Sequence, residues 1–357
     1  MILLKMCNYG LPYSYMLFLF HISKSNFQYF FMAQTVNTAF NEFNTNIVNL
    51  DPNRTDRANS SRDWLWEQLN KLDDKDDLDF PFKYKERHIK YGSFARKTKI
   101  RELDDVDVMF CLTANGATYL KQYENYIINT PNAGNRLRLL SDNDILNSTK
   151  VVNKLKLSLA KIEHYKSAKL HNRGEAATLD LNSYEWVFDI VPCFYTDTDL
   201  YLIPDGNGNW KSTDPRVDQK LVTEVNQKNQ GRALQLIRTL KYWNRYNSTH
   251  TITSYLFEQI VINFITTSQL GQWLDFDIRD FFYYLSVHIY YAVNDPKGIQ
   301  GDLNYLTYEQ KKAILEKSSW AFDKAKEAVS AETQEKNQEK AINKWREIFG
   351  YNFPKYE

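Results

Sequence analysis

The stretch "LDDVDVMFCL", residues 103–112, constrains this chain more than any other. Its apolar part reads as a buried strand, yet Asp105 and Asp107 flank Val106. Alternate residues of a strand share a face, so the two acids project together while Val106 and Val108 pack behind them. Adjoining carboxylates repel, and one is forced neutral unless a cation lies between them. A hard divalent ion with oxygen ligands, Mg²⁺ or Mn²⁺, suits the pair, since no His or Cys adjoins it to favour zinc. Two such ions, roughly 3.5–4 Å apart, serve in-line phosphoryl or nucleotidyl displacement.

A third acid lies in "EWVFDIVPCF", where Val187, Asp189 and Val191 share a face of a second strand. In a two-metal site Asp189 would bind the ion that activates an acceptor hydroxyl. The plainer alternative is that Asp189 pairs with a buried Lys or Arg. About a dozen residues before the first acid pair stands Gly92-Ser93. Gly92 permits a tight turn and a close backbone approach to a ligand. Ser93 offers a hydroxyl and an N–H to a phosphate oxygen. No GxxxxGK[ST] occurs, which excludes a P-loop enzyme.

A cationic partner for phosphates is expected further along. In "GRALQLIRTLKYWNRY", Arg238, Lys241 and Arg245 fall at spacings of three and four, as one basic stripe on a helix packed through Leu236, Ile237, Leu240 and Trp243. In "TITSYLFEQIV", Ser254 and Tyr255 open another helix, where N–H groups and a hydroxyl suit a phosphate and an aromatic ring suits a base.

Bulk properties bound the rest. The chain has 357 residues, 43% of them hydrophobic and 25% charged, which is globular composition. Its net charge of +1 argues against a surface coated in basic residues for nucleic acid. Three scattered cysteines suggest neither a disulfide framework nor a zinc site, so a reducing cytoplasm is expected. The "LPYSYMLFLFHI" run is too short to span a membrane and no cleavage site follows it. Residues 1–31 are therefore read as an upstream extension or a disordered segment, with translation starting at Met32.

Apolar spacing predicts helices over 34–72 with a break at "DPN", strands near 82–90 and 105–112, and helix over 135–170. The lysines between Lys150 and Lys169 read as a solvated helix face. Two β-runs follow, then a loop at 203–215 that imitates a calcium site but has Trp210 where glycine is required. Beyond Pro215 the pattern is helical. Thr307 and Gln310 form a capping box, and Gly350 closes the last helix.

Together these pieces resemble the polymerase-β-type nucleotidyltransferases, and more narrowly the CD-NTases, bacterial cGAS/DncV-like enzymes. The resemblance runs from about residue 60 to the C-terminus. It rests on "GSFARKTKIRELDDVDVMF", "FDIVPCF", "YLIPDGNGNWKSTDP", "LIRTLKYWN", "TSYLFE", "VNDPKGIQGDLN" and "WREIFGYNFP" in that order.

It implies an α+β, bilobal fold with a central active-site cleft. A mixed-sheet nucleotidyltransferase core with N-terminal bracing helices would occupy 32–214, and a helical domain 215–357. By the resemblance Gly92 and Ser93 are the phosphate-gripping turn, and Asp105, Asp107 and Asp189 a catalytic triad holding two Mg²⁺ or Mn²⁺ ions. Lys241 and Ser254 contact the donor triphosphate, and Tyr255 stacks on a base. One departure stands out: many members have Gly before the Thr that is here Thr98, where this chain has Lys97.

The implied activity is condensation of NTPs into a cyclic di- or trinucleotide in anti-phage signalling. Its implied partners are NTP substrates and a downstream effector that responds to the product. A monomer with no membrane and no stable nucleic-acid partner is expected. The rival readings are an RNA-directed nucleotidyltransferase of tRNA-end or poly(A)-adding type, a non-catalytic nucleotide-binding module, and a short toxin- or antitoxin-type enzyme.

Overall fold

The structure is a computed structural model that describes residues 33–75, 79–247 and 249–357; the expectation for residues 1–31 lies outside them. Helix α1 (Val36–Phe43) is opened by a reciprocal Thr35/Thr38 cap and runs into a π turn, Asn44–Val48. The "DPN" break ends it. Asp51 then caps α2 (Pro52–Leu69), with Pro52 in the first turn, where its missing N–H costs nothing.

A single turn of 3-10 helix and strand β1 (Ile89–Lys90) lead to the short helix α3 (Gly92–Ala95) and strand β2 (Asp105–Leu112). The extended strand expected over 82–90 is thus only two residues long. A hairpin follows, β3 (Thr118–Gln122) with β4 (Asn125–Asn129), both paired antiparallel.

The helix expected over 135–170 is broken up. It comprises α4 (Asn135–Arg138), the small strands β5 (Ser141–Asp142) and β6 (Ile145–Leu146), and α5 (Ser148–Ala160). Asn147 caps α5, accepting the Lys150 N–H at 3.2 Å, and that local cap sets the helix start more than apolar spacing does. Strands β7 (Lys169–Arg173), β8 (Ala176–Asp180), β9 (Val187–Tyr195), β10 (Tyr201–Pro204) and β11 (Trp210–Thr213) complete the sheet. The stretch read as loop at 203–215 is therefore a β-hairpin. Its Trp210 is fully buried and donates its indole N–H to the Leu146 carbonyl at 2.9 Å.

The sheet is mixed and open, ordered β1-β2-β9-β10-β11-β4-β6-β5, with β8 and then β7 on the start of β9. Among the described strands, only β2 and β9 pair in parallel. Val106, Val108 and Phe110 of β2, with Phe188 and Ile190 of β9, face a core filled by α2 and α5. The remaining chain is helical: α6 (Pro215–Lys228), α7 (Arg232–Tyr246), α8 (Ser254–Thr267), α9 (Leu274–His288), α10 (Tyr308–Thr333) and α11 (Gln338–Phe349).

The Thr307/Gln310 capping box opens α10, and Gly350 follows α11 at φ +83°, as expected. Helix α1 belongs to this second core, where Phe40 packs edge-on against Trp345 and Phe353. No described helix is long and apolar enough to cross a membrane.

Candidate active site

The parallel pairing of β2 with β9 sets the site. Its register places Asp107 directly opposite Asp189 and Asp105 opposite Val187. Paired residues of neighbouring strands share a face, so the third acid joins the first two across the sheet rather than along the chain. On the same face beyond the acids, Met109, Cys111, Val191 and Cys193 form a small apolar cluster.

Each carboxylate has a different environment. Asp105 takes the Lys99 ammonium at 2.6 Å, and the same ammonium also bonds Asp104. Asp189 accepts the Thr178 hydroxyl at 2.6 Å and has the exposed Arg173 guanidinium 3.6 Å away. The plainer alternative for Asp189, a buried cation, is thus not what the fold supplies. Asp107 has no cation at ion-pair distance among the described residues. Burial, with Asp105 and Asp189 adding repulsion, pushes its carboxyl up to about 7. A buried acid crowded by two others is the arrangement that a cation would relieve.

Gly92 lies against this same carboxylate. A Cβ there would sit 1.8 Å from Asp107 Oδ2, and the residue's φ is +77°. Both facts require glycine. Ser93 and Arg96, one turn apart on α3, line a cleft of about 380 Å³ with Lys99, Asp104 and Asp105. Its far wall is helical and carries Lys241, Arg245, Ser254 and Tyr255. The fold therefore brings Ser93, Asp105 and the helical residues to one space, although more than 140 residues separate Lys99 from Lys241 and Ser254; Asp107 and Asp189 share Asp105's strand face, with Gly92 against Asp107, and do not line that space.

Three details differ from the sequence expectation. Period-two alternation would turn Asp104 to the opposite side from Asp105 and Asp107, yet it does not face away from them. It precedes the strand, where alternation no longer applies, and lines the cleft with Lys99 and with Arg245 at 3.9 Å. The basic stripe on α7 divides: Lys241 and Arg245 line the cleft, while Arg238 turns to a separate cavity. Finally, Tyr255 is anchored. Its hydroxyl donates to Asp218 at 2.7 Å and meets Lys297, whose ammonium lies 4.4 Å from the ring centre.

Sequence reasoning missed the polar joint behind Lys241. Glu258 of α8 is wholly buried and accepts from Arg96 Nε at 2.7 Å, the Thr98 hydroxyl at 2.6 Å and Lys241 Nζ at 3.2 Å. Burial raises its carboxyl, but Arg96 and Lys241 together hold it below the usual carboxylate range. An acid inside the apolar run "YLFEQIVI" was a legible signal. Arg96 and Lys99 had none, being two of four cations in the short stretch "RKTKIR".

The departure at Lys97 has a backbone consequence. Its φ is +62°, in the left-handed region that glycine occupies without strain. A lysine thus stands in a backbone conformation that suits glycine.

As drawn, the acids do not close on an ion: among the described residues, no three His, Cys, Asp or Glu side chains are gathered in metal-ligating geometry. Lys99 occupies Asp105, and the Thr178 hydroxyl occupies Asp189. The donor set still fits a hard divalent cation, being all carboxylate oxygen with one acid, Asp107, lacking a positive partner.

No protein-family model matches the chain. A probable cyclic nucleotide synthase of Bacillus cereus is 43% identical over 333 residues, covering 91% of this chain and all of that one. A cyclic AMP-AMP-AMP synthase of an Acinetobacter species is 28% identical over 178 residues, about half of each chain. Among solved structures, CdnC of Escherichia coli with ATP superposes at a TM-score of 0.67 with 18% identity, over 89% of this chain and 98% of that one. The Vibrio cholerae cyclic AMP-GMP synthase DncV superposes at 0.64 with 11% identity, over 90% and 97%. The open mixed sheet, the helical region and the full-length relative converge, and the chain belongs to the CD-NTase family, the cGAS/DncV-like nucleotidyltransferases.

Proposed function

We propose that this enzyme condenses nucleoside triphosphates into a cyclic di- or trinucleotide with release of pyrophosphate, as a signal in anti-phage defence. The observation that carries the reading is the Asp107–Asp189 register pair, with Asp105 on the same strand face lining a cleft walled by Lys241, Ser254 and Tyr255. Similarity to a probable cyclic nucleotide synthase along that relative's whole length supports the product class.

In this reading the backbone turn at Gly92-Ser93 grips the donor phosphates. Lys241 and Ser254 hold the triphosphate from the helical wall, and Tyr255, fixed through its hydroxyl, offers its ring for stacking on a base. An acceptor ribose hydroxyl gives its proton to Asp189. Its oxygen forms a bond to the α-phosphorus, and the bond from that phosphorus to the bridging β-phosphate oxygen breaks to release pyrophosphate. Asp105, Asp107 and Asp189 would hold Mg²⁺ or Mn²⁺, which when bound offsets charge on the attacking and leaving oxygens. For Asp105 to serve, Lys99 must release it. A second transfer on the bound linear product closes the ring.

The test is incubation of the purified protein with four NTPs and Mg²⁺ or Mn²⁺ without primer, followed by phosphatase and chromatography. A phosphatase-resistant product is expected. Extension seen only with added RNA would replace this reading with the RNA-directed one.

A further inference from the structure

Beside the cleft, past α3, lies a second cavity of about 520 Å³, within the range of small-molecule sites, ~300–1,000 Å³. Ser93 and Arg96 line the cleft, whereas Phe94, Ala95 and Lys97 line this cavity. The helical turn thus separates the two spaces, and Lys99 is the one residue that borders both. The rest of its wall comes from the π turn after α1, from α2 and β1, and from α6 and α7.

Its charge is one-sided. Arg62, Lys90, Lys97, Lys99 and Arg238 line it, and among the described lining residues there is no carboxylate. Arg62 and Lys90 share a single neighbouring acid, Asp63, at 3.3 and 3.0 Å. Arg238 has only neutral acceptors, Asn49 Oδ1 at 2.7 Å and the Lys97 carbonyl at 2.9 Å. Burial accordingly draws its guanidinium below its ordinary value. The Lys97 ammonium makes no contact among the described residues. Arg238, part-buried and with no counter-charge, is the cation that an anion would complete.

Lys97 adds a second observation. Its backbone occupies the left-handed conformation at φ +62°, where a glycine would be unstrained, yet a cation stands there at the cavity wall. An unfavourable backbone choice persists where the side chain is used. The apolar part of the lining, Leu50, Pro52 and Phe94, makes a shelf suited to a flat ring, and Asn49, Thr55 and Asn59 offer amide and hydroxyl groups to its polar edge.

We propose that this cavity is a second ligand site, separate from the catalytic cleft, that takes a phosphate-bearing small molecule of the nucleotide class. Phosphate oxygens would meet Arg238, Lys97 and Lys90, the planar arrangement of Arg238 suiting two oxygens at once. The ring would lie along the Phe94 shelf.

The probe is 2-azido-ATP, photo-cross-linked to the full chain in EDTA, with labelled peptides mapped by mass spectrometry. Labels are expected in two sets, one from the cleft segment 244–255 and one from 45–62 or around Gln219. The Lys90→Gln/Lys97→Gln variant should lose the second set at least tenfold and keep the first. Both lysines are exposed, and the single Lys97→Gln variant serves if the pair alters folding, judged by an unchanged melting temperature. Competition by unlabelled ATP against cyclic di-AMP distinguishes a substrate-like occupant from a product-like one. Labels confined to the cleft, or a second set undiminished in the variants, overturn the proposal. Cleft labelling alone leaves the synthase reading standing, whereas labelling of the second cavity alone would sink that reading and keep this one.

Discussion

On the sheet side of the cleft, three carboxylates share one close ammonium, that of Lys99, and one distant guanidinium, that of Arg173. On the helical side a single carboxylate, Glu258, has Arg96, Lys241 and the Thr98 hydroxyl to itself. Both clusters are largely buried and both lie where the two cores meet. The acidic one is under-compensated, and Asp107 answers by moving up to about 7, burial being the larger cause. The other is closed: every oxygen of Glu258 has a donor, and the carboxyl stays ionised. Buried charge left unbalanced is set up to receive a ligand, while buried charge that is balanced fastens two parts of the chain together.

Removing one member from each cluster should have opposite consequences. Asp107→Asn should cut product formation by ~10³-fold or more, on the order of 4 kcal/mol in the barrier. Its urea midpoint should stay level or rise, because one of three repelling carboxylates is gone. A variant that unfolds instead would show that the acids are structural and break the comparison.

Glu258→Ala should do the reverse first. It leaves Arg96 and Lys241 buried without a counter-charge, at about 3–5 kcal/mol of stability by urea unfolding. A midpoint equal to the parent's would mean that water compensates the two cations and that the joint is not a fastener.

His88 sharpens the point with a buried base kept neutral. It is stacked on Trp66 at 4.8 Å, its Nδ1 accepts the Cys111 N–H at 3.1 Å, and its Nε2 lies 3.2 Å from Asn70 Oδ1. Burial lowers its imidazole from 6.5 to about 4. Between those values the unfolded chain takes up a proton that the folded chain refuses. Stability is therefore intact above pH 6.5 and declines as the pH falls toward 4, by roughly 2 kcal/mol once partial exposure is allowed for. Urea midpoints at pH 7 and pH 4.5 should show this loss, and His88→Gln should shrink it. An equal pH response in the variant would assign the loss to the carboxylates.

The smallest effect is expected at Asp104. It is exposed and shares Lys99 with Asp105, so Asp104→Asn should change stability by less than ~1 kcal/mol and turnover by no more than a few-fold. A large loss of turnover, measured beside an unchanged melting curve, would place Asp104 among the groups that serve the reaction.

Much of this was readable in the chain. The acid-x-acid pattern placed Asp105 and Asp107 on one face because strand geometry leaves no other choice, and Val106 and Val108 are indeed packed behind them. The helix that opens at the Thr307/Gln310 capping box began where that box stands. The 135–170 region was not readable, since its short strands pair with β4 and with one another, partners that apolar spacing does not reveal. Glu258 was half readable: an acid in an apolar helix signals a buried partner without naming it.

The sequence by itself determined that Asp105 and Asp107 share one face of a strand, because residue type and period-two alternation act over a few neighbours. The parallel register that sets Asp189 against Asp107 was decided only by the tertiary structure. So were the Glu258 bonds that join α3 to α7 and α8, and the turn of Arg238 away from Lys241 into a second cavity. Those relations depend on contacts between segments as much as 189 residues apart, whose geometry is fixed by how the two cores pack and not by any local preference of the chain.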